Sequence, residues 1–333
     1  MPIVNVFDSD LFSLHSLTLS INKLPFKPAR IGQLGIFATQ GVPTTVVEIE
    51  EQNGLLGLLP TRRRGEPASL GRGPKRTVRP LSIPHIPHED SITAESVQNV
   101  RAFGSENQLE TVATVVNDRL ALMRQNHEVT LEHLRAGALQ GRILDADGTT
   151  VLCNVFDEFK VEQQSTDFVF GTTTTDIQAK VLSVKRSIEQ SLGVAVYDHV
   201  HCLCGETWWG KFIAHTLVKA AFDRYQEGAW LREDMRSGFT FCGVTFEEYT
   251  GTVGGVSFIP ATEARFFPVG TPNLFITYFA PADFMETVNT IGLPVYAKQE
   301  PMKFNRGVDL HTQSNPLPIC TRPRVLHRGF TSN

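Results

Sequence analysis

From Ser105 to about Gln140 the apolar positions Leu109, Val112, Val116, Leu120, Met123, Leu131, Leu134 and Ala138 keep the three- and four-residue spacing of one helix face. Ser105 and Gln108 make a capping box at its start, no proline interrupts it, and Gly141 stands just past its end, where a left-handed cap commonly closes a helix. Roughly 35 residues at about 1.5 Å each predict a rod of about 50 Å, longer than an ordinary domain is wide. This helix is the spine of the chain. The residues before it reach outward, and those after it fold back over it.

Residues 1–43 read as an extended arm. Alternation from Leu11 to Ile21 predicts short strand pieces, and Pro25, Pro28 and Pro43 bar a long helix. Such an arm needs cover from elsewhere. Residues 44–90 predict a long two-stranded ribbon, with Val47 and Ile49 on one face and Glu48 and Glu50 on the other. Its tip, Thr61 to Lys75, is rich in Gly, Pro and Arg and has no core of its own. Pro80 and Pro84 on the return strand share a parity, so both missing N–H groups fall along one edge.

After the spine, Arg142 to Asp145 and Thr150 to Asn154 predict a hairpin about Asp147-Gly148. From Thr172 the texture becomes that of a compact α/β unit. Asp176 or Thr175 caps a helix whose apolar face is Ile177, Val181, Val184 and Ile188, closed by Gly193. A strand from Val194 to Cys204 leads through Gly205 into a helix carrying Trp209, Phe212, Ile213, Thr216 and Ala220. Short strands are expected around Phe239 to Tyr249 and Val256 to Phe267. The last sixty or so residues are extended, with one helical stretch expected at Ala282 to Thr290. The fold class is α+β.

Composition narrows the function. The 333 residues, 41% of them apolar, allow two compact units, and the net charge of −4 lacks the basic footprint of a general nucleic-acid binder. Five scattered cysteines imply no disulfide framework and fit a reducing compartment. The N-terminus lacks the pattern of a secretory signal, and no apolar run is long enough to span a membrane. Charge is distributed unevenly. Between residues 61 and 79, Arg62, Arg63, Arg64, Arg72, Lys75, Arg76 and Arg79 face only Glu66, a net of +6, which leaves −10 for the rest. A basic finger on an acidic body suits self-association, finger on neighbouring body, against the plainer reading of a solvated loop. Phosphate binding by the tip is disfavoured because no aromatic residues interleave with the arginines.

The cluster His199-Val200-His201-Cys202-Leu203-Cys204 invites a zinc reading, but a strand sends the histidines to one face and the cysteines, with Val194, Val196 and Val200, to the other. Two ligands per face are too few for a closed site. A cysteine nucleophile would point away from both histidines. Gly251 to Gly255 lacks the Lys-Ser/Thr ending of a phosphate loop and reads as a turn, Asp145 and Asp147 are turn formers, and Trp209 is expected in the core. No catalytic residue, cofactor or metal site is assigned. Two other readings compete: a soluble α+β hydrolase using a Cys or His of the 194–204 strand, and a DNA-binding protein using the basic 61–79 loop.

The order of parts, with Phe258 to Gly270, Phe279-Ala280-Pro281-Ala282-Asp283 and Gln313-Ser314-Asn315-Pro316-Leu317, resembles the lambda-type protein E family of tailed-bacteriophage major capsid proteins. The resemblance implies the Hong Kong 97-type capsid fold. It would comprise an N-terminal arm (1–43), an extended loop (44–90), a peripheral domain with spine and hairpin (91–171), an axial domain (172–271) and a C-terminal return to the peripheral domain (272–333). It further implies hexameric and pentameric rings tiling an icosahedral shell around double-stranded DNA in a virion, assembled in the bacterial cytoplasm, with a portal protein and room for a decoration protein. Forty residues before the loop are too few for a built-in scaffold, so a separate scaffolding protein is expected. The basic residues of the loop are then the expected inter-subunit contacts.

Overall fold

The computed structural model describes residues 14–23, 29–53, 75–97, 112–227 and 238–333. The first described element is a helix in place of the expected strand pieces, residues 11–13 of that stretch lying outside the described residues. In α1 (Leu14–Lys23), Leu17 and Ile21 are buried. Leu14, Leu17 and Ile21 satisfy helical spacing as well as alternation, and a helix closes its own backbone hydrogen bonds where a lone strand needs a partner. A short turn, α2 (Arg30–Gln33), leads to β1 (Phe37–Gly41), which pairs in parallel with residues 275–279.

The ribbon is β2 (Val46–Asn53) against β3 (Lys75–Ser82), antiparallel from Val46/Ser82 to Asn53/Lys75. The amide of Ile83 donates to the carbonyl of Thr45 at 3.0 Å. Stepping in twos along the ladder makes Val47/Leu81 and Ile49/Arg79 bonded pairs and Glu48/Pro80 a non-bonded one. Pro80 therefore lacks its N–H on the outer edge, where no ladder bond is lost. Pro84 is not in the strand as expected. It lies in the link after β3, beyond which β4 (Ile86–Thr93) joins a different sheet.

A short turn, α3 (Ala94–Val97), precedes the spine, α4 (Val112–Gln140). Its expected beginning at Ser105, with the capping box and Leu109, lies outside the described residues. Its 29 residues span about 43 Å, and Gly141 ends it at φ 74°. The spine touches three cores. Val116, Leu120 and Met123 enter one with Leu17 and Ile21, Leu134 and Ala138 a second, and Ala136 and Leu139 the largest. The hairpin of β5 (Arg142–Leu144) and β6 (Val151–Asn154) comes next, then α5 (Val155–Phe159) and β7 (Gln164–Asp167).

In α6 (Ile177–Leu192), the carboxylate of Asp176 accepts from the amide of Ala179 at 2.9 Å as its N-cap, and Ile177, Val181, Val184 and Ile188 are buried. The next strand, β8 (His199–Cys204), is shorter than expected: Val194 and Val196 precede it and are 79% and 75% exposed. The single helix expected after it is two, α7 (Glu206–Ala214) and α8 (Thr216–Glu227), divided where His215 turns extended. Because α7 starts at Glu206, its inward stripe is Trp208 and Phe212, and Trp209 is only half-buried. The tail of the unit is β9 (Phe239–Phe241), β10 (Val244–Glu248), the small hairpin β11 (Thr252–Val253) and β12 (Val256–Ser257), and β13 (Glu263–Val269).

The return contributes β14 (Phe275–Phe279), β15 (Tyr296–Pro301), β16 (Gly307–Ser314), β17 (Pro316–Cys320) and β18 (His327–Phe330). The helix expected at 282–290 is a single 3-10 turn, Met285–Thr287. The hydroxyl of Thr287 donates to the carbonyls of Ala282 and Phe284, competing with a helical backbone. The main sheet has the order β7-β18-β13-β8-β10-β9, so its far edge comes from residues 164–167 and 327–330, outside the 172–271 stretch. Two three-stranded sheets, β1-β14-β17 and β15-β16-β4, flank the spine.

Candidate functional site

The base of the ribbon is held by its own subunit. Val47, Leu81 and Ile83 are buried in one core with Leu134, Ala138, Ile143, Val155, Phe159, Leu317 and Ile319, while Glu48 faces solvent. Alternation along β2 allows this: one face is apolar and the other charged. Of the seven basic residues singled out, Arg62, Arg63, Arg64 and Arg72 lie outside the described residues. Lys75 and Arg76 open β3 opposite Asn53 and Gln52. Arg79 is placed otherwise. Its guanidinium donates to the carbonyl of Glu158 and lies 5.2 Å over the ring of Phe159, so it clamps the ribbon to α5 of the same chain. The face of β15-β16-β4 opposite buried Val308 and Leu310 exposes Glu89, Glu300 and Asp309, with Glu300 directly opposite Asp309. Like charges paired this way repel and gain from an incoming cation.

Inside, a charged joint ties arm, spine and main sheet together. Glu132 of the spine, 2% exposed, accepts from the amides of Ile31 at 2.6 Å and Gly32 at 3.1 Å, and from the hydroxyl of Tyr249 at 3.1 Å. Those amides open α2 and have no partner within so short a turn. Arg30 forks onto both oxygens of Glu247 on β10, and His201 Nε2 stands 3.3 Å from Glu247 on its other side. Burial alone would raise the Glu247 carboxyl, but contacts with His201 and Arg30 hold it below its ordinary value. None of Glu132, Arg30 and Glu247 stood out from the apolar pattern. The available signal was the seven-residue gap between Met123 and Leu131 in the apolar series, where Arg124 and His127 are buried, with Glu132 and Arg135 just beyond.

The His–Cys stretch sits in the centre of the main sheet. His199 and His201 share a face with ring centroids 6.1 Å apart; Cys202 and Cys204 share the opposite one, their sulfurs 3.6 Å apart in the largest core. Among the described residues no group of three or more His, Cys, Asp or Glu side chains could hold a metal ion. Burial, and then the neighbouring Cys204, push the Cys202 thiol well up, the reverse of what a nucleophilic thiolate needs. Gly254 and Gly255, at φ 58° and 84°, turn the β11–β12 hairpin. Asp147 accepts from the amides of Thr149 and Thr150 at 2.8 Å and holds a turn. A groove of about 800 Å³ over β4, β15 and β16 gathers Glu89, Asp90, Ser91, Lys298, Glu300, Asp309 and His311.

The model of the family "Phage major capsid protein E" matches residues 13–331. The major capsid protein of Pseudomonas phage KPP10 is 30% identical over 319 residues, covering 89% of this chain and 90% of that one. That of Salmonella phage Felix O1 is 25% identical, covering 95% of each. Among solved structures, the capsid of cyanophage P-SCSP1u superposes with a TM-score of 0.53 at 10% identity, over 93% of this chain and 90% of that one. The capsid of Myoviridae phage XM1 does so with 0.51 at 9%, over 92% and 94%. The fold is accordingly the α+β Hong Kong 97-type capsid fold. The family model and both relatives match along nearly the whole sequence that builds this spine, ribbon and main sheet, and the chain belongs to the phage major capsid protein E family.

Proposed function

We propose that this major capsid protein builds an icosahedral shell from hexameric and pentameric rings of itself, enclosing the double-stranded DNA of a tailed phage. The role is structural: the subunit has no catalytic task and needs no cofactor or metal. In this reading the arm, ribbon, peripheral, axial and return segments divide the chain after residues 43, 90, 171 and 271. Arg62, Arg63, Arg64, Arg72, Lys75 and Arg76 reach carboxylates of an adjacent subunit, while Arg79 anchors the ribbon to its own. The shell is part of the virion and forms in the bacterial cytoplasm with a separate scaffolding protein and a portal, and a decoration protein can bind outside.

The observation that carries this reading is the asymmetry of the ribbon. Its base buries an apolar face in its own core, whereas the stretch from Thr61 to Arg76 holds six cations against one carboxylate. Heterologous contacts of this sort, finger on neighbour, close into rings. Negative-stain microscopy of purified protein, with and without a co-expressed scaffold, tests it. Regular shells or capsomer rings are expected; a uniform monomer under all conditions would overturn it.

A further inference from the structure

We propose that a cleft beside Arg135 is a binding site for a small monocarboxylate with a short apolar body. Such a site belongs to the single subunit and does not depend on the shell.

The cleft, about 210 Å³, runs along the spine between α4, β1 and β14. Leu131, Phe279, Pro294 and Val295 give it apolar walls, and Arg135, four residues after Leu131 on the same helix face, stands among them. Arg135 is 7% exposed. Its guanidinium lies 5.4 Å over the ring of Phe37, a contact that eases the charge without supplying an oxygen acceptor. Its Nε is buried with no hydrogen-bond partner, and among the described residues no acceptor is bonded to the group. The charges nearby are already committed. The oxygens of Glu132 serve Ile31, Gly32 and Tyr249. Arg124 and Glu128, also lining the cleft, pair with each other at 2.7 Å. His127, bonded to Thr312 at 2.9 Å, is kept neutral at neutral pH by burial, which lowers it to about 4. Burial likewise pushes the Arg135 guanidinium below its ordinary value, against the opposing pull of Glu132.

These facts select the ligand. A buried guanidinium with unused donors is costly until an acceptor arrives, and a carboxylate matches its fork by accepting two N–H groups at once. The walls set the rest of the molecule. Inorganic phosphate would exchange its water for Leu131, Phe279 and Val295, which offer it no hydrogen bond, whereas a hydrocarbon body gains from leaving water for the same surface. At about 30 Å³ for each water-sized group the cleft holds about seven of them, the size of hexanoate. The carboxylate then meets Arg135 and the chain lies along the apolar walls.

The test is equilibrium dialysis of the full-length, unassembled subunit against radiolabelled hexanoate at neutral pH, with unlabelled competitors. Saturable uptake of a single hexanoate per subunit is expected. Hexanamide keeps the body and loses the charge, so it should compete about tenfold less well, the loss of a charge-assisted hydrogen bond. Acetate and inorganic phosphate keep the charge and lose the body, and should also compete at least about tenfold less well. Arg135→Met should abolish uptake, and Leu131→Trp, which fills the cleft and leaves the guanidinium in place, should do the same. Melting temperatures report separately whether each variant folds, and the comparisons on the native subunit decide the matter if one does not. No saturable uptake by the native subunit, equal competition by hexanamide or by phosphate, or undiminished uptake in either folded variant would overturn the proposal. Microscopy of shells bears on the shell reading alone.

Discussion

The carboxylate of Glu132 accepts a hydrogen bond from the amide of Ile31 at 2.6 Å, across 101 positions of the chain. Through it the arm is fastened to the spine, and Tyr249, bonded to the same carboxylate, brings in the main sheet. Replacing Glu132 with Ala leaves two amides and a buried hydroxyl without an acceptor, each worth about 1–3 kcal/mol when desolvated. The expected outcome is a loss of several kcal/mol in urea unfolding of the subunit. Glu132→Gln, which keeps an acceptor but gives up the charge, should lose distinctly less.

Acid should weaken the fold through two buried histidines. Burial, aided by His88 and His311, lowers His127 from 6.5 to about 4, and burial lowers His327 from 6.5 to about 4. Both values lie below that of the unfolded chain, so between pH 6.5 and about 4 the unfolded state binds protons first. Their contribution to stability is complete above pH 6.5 and falls as the pH drops through that window. Denaturation midpoints measured from pH 7 to pH 4 should decline, and His127→Gln, which keeps a polar partner for Thr312, should flatten the slope. An identical slope in the variant would contradict the assignment.

Trp208 and Trp209 should behave very differently. Trp208 is fully buried and its ring centroid lies 5.2 Å from that of Phe168 and 5.1 Å from that of Phe212, while Trp209 is half-buried. Trp208→Ala should cost about 3–5 kcal/mol, the range for deleting a large core aromatic. Trp209→Ala should cost much less. Chemical denaturation of the two variants side by side is the check.

Reversing Arg62, Arg63 and Arg64 to Glu should impair assembly more than folding. One exposed ion pair contributes only about 0.2–1 kcal/mol, but each subunit of a shell repeats the contact. The measurements are shell yield by sedimentation and the melting temperature of the unassembled subunit. Unchanged yield would remove the ribbon tip from the contact, whereas a lowered subunit melting temperature would point to a role within the chain.

What the sequence by itself determined are the features that local rules set. Apolar spacing and Gly141 end the spine at Gln140, Asp176 caps α6, Asp147-Gly148 turns the hairpin, and β2 pairs with β3, the next described strand. Each depends on residues close in the chain or on strands that follow one another in it, where periodicity and capping decide the outcome. The family, too, was legible in linear motifs. Tertiary structure decided the rest. Leu14 to Ile21 fits two periods, and packing against β15 and the spine selects the helix. Whether Trp208 or Trp209 enters the core turns on where α7 begins, which the main sheet sets by placing Gly205 against Pro260 and Ala261. Pairing β1 with β14 and β18 with β7 joins residues more than a hundred positions apart, and which strand fills which edge depends on burial that no local window contains. The same holds for the joint at Glu132. A carboxylate in a helix reads as solvated until the fold brings Ile31, Gly32 and Tyr249 to it, because only three donors in place offset the cost of taking that charge out of water.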